Sequence, residues 1–479
     1  MSYLKDYFAS FIKLIKYKKI YDTETTGLDK TSLQPTQVAS INCDDNLNII
    51  STHNESSIIR EDVTPSPYAL LTTKCIDSLQ LQGPSSYQMI QEKNQEWTQT
   101  IEQGPTCFIG FNSDSFDEAV IQRARFINCL SPYITNTGGS TRMDVLKLIH
   151  LLVSFYPEFP RKVNEKGNIS CRLVDVADSL GVAYENAHDA LADCSALLDV
   201  LKIIRRDFPE VYDSGLINSS KEGSVSFLEN VEPFLVMGEV YRTPFTRPVV
   251  LISYTEKGNG IALFDLSFEP EEVLSLSYPE LEDLVHNPRS GPIKTVQKNK
   301  TLPLLPESAV SNLENHFNVS YLELCRRAKL VQKDQGFKEK VKQALLTKKY
   351  KTFPCTTAEE SIYSGPWISD EDLLYAERFH LAPLEEKWAM RENFVDWRWK
   401  EFANRILCQQ DLKSAPRDLR NWYDKFVISR RHCKWSKDRH FLTNDMALKE
   451  TLKLKQETTS KRDLEILNEV EKFLTKRSI

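Results

Sequence analysis

The stretch Ile20-Tyr-Asp-Thr-Glu-Thr-Thr-Gly27 sets two carboxylates two residues apart in a strand-like run that ends in a glycine turn. Side chains alternate faces along a strand, so Asp22 and Glu24 point the same way. Two acids on one face of a buried sheet repel each other and resist desolvation, so something positive must offset them. An oxygen ligand set suits Mg²⁺, with Mn²⁺ as its substitute, rather than zinc. The competing account is a solvent-facing strand whose acids only keep the chain soluble.

Three further places add to that pair. In Gly110-Phe-Asn-Ser-Asp-Ser-Phe-Asp117 a strand ends near Asn112 and a helix begins at about Ser115. Asp117 then lies in the first turn, where unpaired N–H groups and the helix dipole favour an anion. Taken alone, it is a common helix-start acid. In Ala187-His-Asp-Ala-Leu-Ala-Asp193, Asp189 caps a helix, His188 precedes it and Asp193 sits one turn inside. Five residues is the wrong spacing for one helical face, yet a loop histidine and a first-turn acid can converge on one pocket. Asp144 opens another helix and is equally explained as its cap. Asp22, Glu24, Asp117 and Asp193 with His188 suit two-metal phosphodiester chemistry, in which ions roughly 3.5–4 Å apart clamp the attacking and leaving oxygens. A neutral His188 can accept the proton of the attacking water, an effect typically worth about 10²–10⁴ in rate.

The elements that must position these groups follow from the pattern. Val38–Cys43 and Leu47–Thr52 flank the turn Asp44-Asp45-Asn46 and predict an antiparallel hairpin beside the first strand. Pro105–Phe111 reads as a strand; Tyr87–Glu102, Ser115–Asn128, Met143–Phe155, Arg172–Leu180 and Asp189–Phe208 read as helices. Strands first, then strands alternating with helices, predict a mixed α/β sheet covered by helices. The polar run Asp213–Val231 is expected to be a linker. Phe234–Leu305 changes to short strands around Glu256-Lys-Gly-Asn-Gly260, which predicts a small β-barrel. From about Glu307 onward the pattern is helical. The expected domains are 1–210, 211–306 and 307–479.

Size and composition fit that plan. The 479 residues carry 27% charged and 41% hydrophobic side chains, ordinary values for a soluble multidomain protein. A net charge of −6 argues against a generally sticky polycation but allows a local basic groove. The ten cysteines form no CxxC pair, and the sequence shows no secretory leader and no apolar run long enough to span a bilayer. The expectation is a cytoplasmic protein with reduced thiols and no membrane role. Tyr3–Lys19, rich in lysine, is expected to pack on the first domain as an N-terminal extension.

At these residues the chain resembles the DEDD exonucleases of ribonuclease H-like fold. The motifs Asp22-x-Glu24, Asn112-x₃-Phe116-Asp117 and His188-x₄-Asp193 correspond to theirs, and a histidine before the last acid places it in the DEDDh branch. More narrowly it resembles the exodeoxyribonuclease I family of bacterial single-strand-specific 3′→5′ DNases. That rests on Arg172-Leu-x₆-Leu-Gly ahead of the histidine motif, Gly291–Lys300, and Trp397-Arg-Trp-Lys-Glu-Phe-Ala-Asn-Arg405. The resemblance implies an exonuclease domain, an SH3-like β-barrel and a C-terminal helical domain. It implies that Asp22, Glu24 and Asp193 hold the ion at the attacking water and that Asp22 and Asp117 serve the second. His188 would be the general base, Arg172 would meet the terminal phosphate, Glu24 the sugar hydroxyl, and Tyr133 and Asp144 would lie near the strand. Gln122 stands where arginine is expected, and Arg123 beside it is a candidate substrate contact. The basic run Tyr17-Lys-Lys-Ile-Tyr21 is unusual for a buried strand.

The implied substrate is single-stranded DNA, degraded to nucleoside 5′-monophosphates, with a place in DNA repair or recombination. Lys294, Lys298 and Lys300 are candidate phosphate contacts, and Phe116 and Tyr133 candidate base-stacking groups. The resemblance also implies docking on the acidic tail of the single-stranded DNA-binding protein; a monomer is the default. Two other readings stay open: a 3′→5′ ribonuclease or proofreading nuclease, and a nucleic-acid-binding scaffold with an idle site.

Overall fold

In a computed structural model, the described residues are 8–74, 76–80, 82–184, 188–287, 291–348, 357–432 and 441–477. Strand β1 (Tyr17–Thr25) is central to a five-stranded sheet of order β3-β2-β1-β4-β5. It runs antiparallel to β2 (Pro35–Cys43), which pairs antiparallel with β3 (Ile49–Ser56). On its other side β1 is parallel to β4 (Thr106–Gly110), and β4 to β5 (Thr141–Asp144). The mixed α/β sheet expected from the pattern is therefore present.

Residue parity decides what each face buries. Tyr21, Val38 and Phe108 pack with Met89, Trp97, Ile121 and Ala124 from helices Ser86–Gln103 and Asp117–Ile127. Ile20, Ala39 and Ile109 face the other way and join Leu197, Leu201 and Ile204 of helix Ala190–Asp207. Asp22 and Glu24 share the parity of Ile20, so they sit under this second helix, which contacts both β1 and β2.

The basic run in β1 is accommodated by acids from neighbouring elements. Lys18 and Lys19 are fully buried; Lys19 pairs with Glu96, and Lys18 pairs with Asp45 and donates to the Ile15 carbonyl at 3.3 Å. Lys93 pairs with Glu55 and donates to Ser40 at 3.1 Å. The short helix Ala9–Leu14 packs ahead of β1, with Phe8 edge-on to Phe227 at 5.6 Å.

The expected linker at Asp213–Val231 is instead two helices, Pro209–Ile217 and Lys221–Asn230. The run is polar in composition, but Leu216, Ile217, Phe227 and Leu228 are buried, and Ser220 caps the second helix by accepting from Gly223 N at 2.9 Å. Glycine is required at 223 because a Cβ there would collide with the Ile217 carbonyl.

The second sheet has five antiparallel strands: β6 (Leu235–Tyr241), β7 (Thr243–Tyr254), β8 (Gly260–Asp265), β9 (Ile293–Gln297) and β10 (Leu304–Pro306). Their order is β9-β8-β7-β6-β10: a meander whose last strand returns beside its first. The hairpin at 256–260 is as expected. Among the described residues its outer strands β9 and β10 do not pair with each other. Val236, Leu263, Phe264 and Leu304 share one continuous core with Ile20 and Leu201 of the first sheet.

The helical region divides its allegiance. Tyr321–Lys333 and Gln335–Thr347 pack on the second sheet through Leu324, Val331, Phe337 and Val341. Helices Asp370–Leu381 and Trp397–Asp411 return to the first region, where Phe379, Trp399 and Phe402 surround Tyr87, Phe126 and Cys129. The last helix, Lys461–Lys476, sets Ile466, Val470 and Phe473 against Ile59, Val63 and Leu70.

Candidate active site and nucleic-acid groove

Asp22 and Glu24 project from β1 toward the start of helix Ala190–Asp207, which carries Asp193 in its first turn. Ligand atoms of Glu24, His188 and Asp193 lie within 4.8 Å of one another. Asp117 is the first residue of its helix and accepts from Thr23 Oγ1 at 2.6 Å, so it reaches the same strand from across β4. Asp193 accepts from Tyr184 Oη at 2.5 Å and from the His188 N–H at 3.1 Å. Asp189 caps the helix through Leu191 N and Ala192 N, while Gln37 of β2 donates to it at 2.9 Å. His188 is exposed, in the left-handed region with φ 70°.

The electrostatics are those of a compensation left incomplete. Burial, then the neighbouring Asp117, Asp193 and Glu24, push the Asp22 carboxyl well above its usual range. Burial followed by Asp193 and Asp117 lifts Glu24 to about 9. Burial lifts Asp117 to about 6 despite the Thr23 hydroxyl, and raises Asp193 against the pull of Tyr184 and the His188 N–H. Each shift says that the ionised form lacks a partner. A cluster of oxygen donors with one imidazole and, among the described residues, no cation of its own fits divalent metal ions, which would supply the missing charge.

The other candidates from the sequence separate in space. Arg172 is largely exposed, its Nε bonded to Asp175 at 2.7 Å. Phe116 is partly exposed, immediately before Asp117. Tyr133 packs on Trp367 with ring centroids 5.2 Å apart, and both line a chamber of about 630 Å³. That chamber runs between helix Asp117–Ile127, the Asn299–Lys300 turn and the loop 362–368, and borders Asp114 and Glu118. Lys300 lines it too, its ammonium on the Asp114 carbonyl.

Three expected substrate contacts are corrected: Asp144, Arg123 and Lys298. Asp144 is 1% exposed; it accepts from the N–H groups of Leu146, Asn112 and Asp114, so it caps a helix and clamps the loop before Asp117. Arg123 is buried against the Lys30 carbonyl at the junction with the C-terminal helices. Lys298 gives its ammonium to the Thr255 and Glu256 carbonyls, at 2.9 and 3.1 Å. Lys294 is half-buried on β9 in the field of Arg247 and Asp265, and does not line the chamber. In the first three cases a side chain that looked available is held inside the fold.

Sequence reasoning missed Thr23, Tyr184 and Gln37, which hold the acids, and Tyr363 and Trp367, which wall the chamber. Parity hid Thr23, since a strand residue between two acids reads as facing away, and Gln37 meets Asp189 only through the pairing of β2 opposite Glu24. Trp367 is 80% exposed in Gly365-Pro-Trp367, and an aromatic after Gly-Pro outside any periodic pattern is the signal that was there.

The fold and this acidic site define a class: residues 20–201 match the exonuclease family RNase_T. Beyond that segment the similarity is to exodeoxyribonuclease I. The chain is 23% identical over 361 residues to exodeoxyribonuclease I of Buchnera aphidicola subsp. Acyrthosiphon pisum, covering 72% of this chain and 85% of that one. Against the Escherichia coli K12 protein of the same name it is 22% identical over 377 residues, 74% and 76% of the two chains. Among solved structures, exonuclease I from Methylocaldum szegediense superposes with a TM-score of 0.81 at 21% identity, covering 96% of this chain and 99% of that one. E. coli exonuclease I in complex with a dA16 oligonucleotide gives 0.80 at 19%, covering 96% and 100%. The architecture is thus shared along nearly the whole chain, helical region included, and the resemblance read from the motifs is borne out.

Proposed function

We propose that this chain is a metal-dependent 3′→5′ exonuclease that degrades single-stranded DNA to nucleoside 5′-monophosphates. The observation that carries the reading is the gathering of Glu24, Asp193 and His188 within 4.8 Å, with Asp22 and Asp117 in the same electrostatic field: burial raises all four carboxyls, and the neighbouring acids add to the rise of Asp22 and Glu24. The relatives support the substrate: E. coli exonuclease I has been solved with dA16 and, in a zinc-bound form, with ssDNA.

Asp22, Glu24, Asp117 and Asp193 would hold two Mg²⁺ ions, or Mn²⁺ in their place. Bound there, the ions supply Lewis-acid stabilisation of the charge that develops on the phosphate. The chain's own residues do the rest. His188, exposed at the helix entrance, takes the proton of the attacking water on an imidazole nitrogen. Tyr184 and the His188 N–H fix the Asp193 carboxylate, and Thr23 fixes Asp117. Glu24 also meets the terminal sugar hydroxyl. Arg172, its guanidinium largely in solvent, meets a phosphate near the 3′ end. Phe116 stands beside Asp117 to pack on the terminal base. Further from the end, Tyr133 and Trp367 offer a face for bases and Lys300 a charge for phosphates. A duplex would be excluded by the width of the groove rather than by base reading.

A role in DNA repair or recombination and docking on the single-stranded DNA-binding protein go with this reading, and a structure of SSB/exonuclease I supports the second. The test is hydrolysis of 5′-labelled single-stranded DNA. Wild type shortens it stepwise with Mg²⁺ and stops in EDTA, while Asp22→Asn binds the strand and leaves it intact. A wild-type chain that leaves the strand whole in Mg²⁺ and Mn²⁺ overturns the reading.

A further inference from the structure

The groove has a second arm. A chamber of about 590 Å³ shares Asn136, Thr137, Arg142, Lys221, Asn299 and Lys300 with the first. Its far wall is the N-terminal helix Ala9–Leu14, through Phe11 and Leu14, and its floor is the turn Thr137-Gly-Gly-Ser140. Gly138 and Gly139 are exposed with φ of 62° and 84°, a bend that leaves the backbone open to close approach.

Two observations, independent of each other, point to a ligand here. The first is polar. Asn136 Oδ1, Asn299 Oδ1 and Ser140 Oγ are buried on these walls with no hydrogen-bond partner among the described residues, and Ser140 is only 8% exposed. Buried polar atoms are rarely left unpaired, because desolvation is then uncompensated. The second is charge. Arg142, Lys221, Lys298 and Lys300 line the chamber against the single carboxylate of Glu222. Arg142 is neutralised by Glu118, and the Lys298 and Lys300 ammoniums rest on carbonyls that leave their charge intact. Lys221 is exposed at the start of its helix. Apolar Leu14, 64% exposed, faces this cationic side.

We propose that the second chamber is a subsite for the strand on the 5′ side of the nucleotides in the first, with the N-terminal helix as its outer wall. The inference rests on the exonuclease reading. A flexible polyanion with apolar bases matches the lining: phosphates at Lys221 and Lys300, base faces at Phe11 and Leu14, base edges at the unpaired amides and Ser140. A linear polymer can run through both chambers, which share their lining from Asn136 to Lys300. The N-terminal helix, which no catalytic step uses, then serves to retain the strand.

The experiment measures affinity by fluorescence anisotropy in EDTA, for a short and a long oligo-dT, over a salt series. Wild type, Leu14→Asp and Lys221→Ala are compared with Lys472→Ala, an exposed lysine on the last helix. Leu14→Asp weakens the long strand about tenfold and the short one much less, so the gain in affinity with length shrinks. Lys221→Ala flattens the salt dependence for the long strand by about 0.7 in log–log slope, the value for one lost phosphate contact on a single strand. If both variants keep the wild-type length dependence and salt slope, the second chamber is not a strand subsite. Wild-type hydrolysis of the same long strand in Mg²⁺ runs alongside. Hydrolysis with unchanged length dependence removes only this inference, whereas no hydrolysis removes the exonuclease reading beneath it.

Discussion

The two ends of strand β1 bury charge in opposite ways. Toward its start, Lys18 and Lys19 are matched by Asp45 and Glu96, with Lys93 and Glu55 alongside. Burial favours the neutral form of Glu96, yet Lys19 and Lys93 hold its carboxyl below the usual range. Toward its end, Asp22 and Glu24 meet more acid from Asp117 and Asp193, and all four carboxyls are pushed up. A few residues separate a charge set that the fold satisfies from one that it does not. Charge satisfied inside the chain supports the fold; charge left unsatisfied at the mouth of a groove is reserved for something that binds.

The largest expected effect comes from breaking the unsatisfied end. Asp22→Asn lowers kcat on single-stranded DNA by about 10³-fold or more, because a metal-holding group acts as a unit with the others. Measured without metal, the same variant melts no lower than wild type, since it removes repulsion. Breaking the satisfied end does the reverse. Lys19→Met leaves Glu96 buried beside only Lys93 and costs about 3–5 kcal/mol of stability, read by urea unfolding. Activity per folded molecule is retained.

The pH response sharpens the contrast. Glu24 has a folded pKa of about 9, far above that of an exposed glutamate. The metal-free folded state therefore holds an extra proton through neutral pH, and its stability falls as pH rises toward 9. Glu96 has the opposite sign: its contribution is present above the ordinary glutamate range and is lost as pH falls below it. Melting of the metal-free chain between pH 6 and 9 shows a decline that Glu24→Gln flattens and Mg²⁺ reverses. The smallest effect belongs to Tyr184→Phe. It removes one hydrogen bond to Asp193 and lowers kcat by about tenfold, with metal affinity reduced by titration.

Much of this site was legible in the sequence because period-two parity fixes Asp22 and Glu24 on one face and helix starts mark Asp117 and Asp193. The mixed sheet followed from the order of strand-like and helical runs. What was not legible is how each surface-type residue is used. Lys298, Arg123 and Asp144 carry charges that suit a DNA contact, but each meets backbone groups brought close only by tertiary folding. The run 213–231 has linker composition, and only its buried Leu216 and Phe227 reveal helices. The return of Trp399 and Phe402 to Phe126 spans more than 270 residues, a distance at which local pattern carries no information.

Metal titration tests the central claim most directly. Mn²⁺ added to the metal-free chain at pH 7.5, followed by calorimetry, binds two ions and raises the melting temperature, and Glu24→Gln loses the tighter of them together with the stabilisation. Wild type that takes up no Mn²⁺, or a Glu24→Gln chain that is destabilised without metal, contradicts the account of an acid cluster kept open for cations.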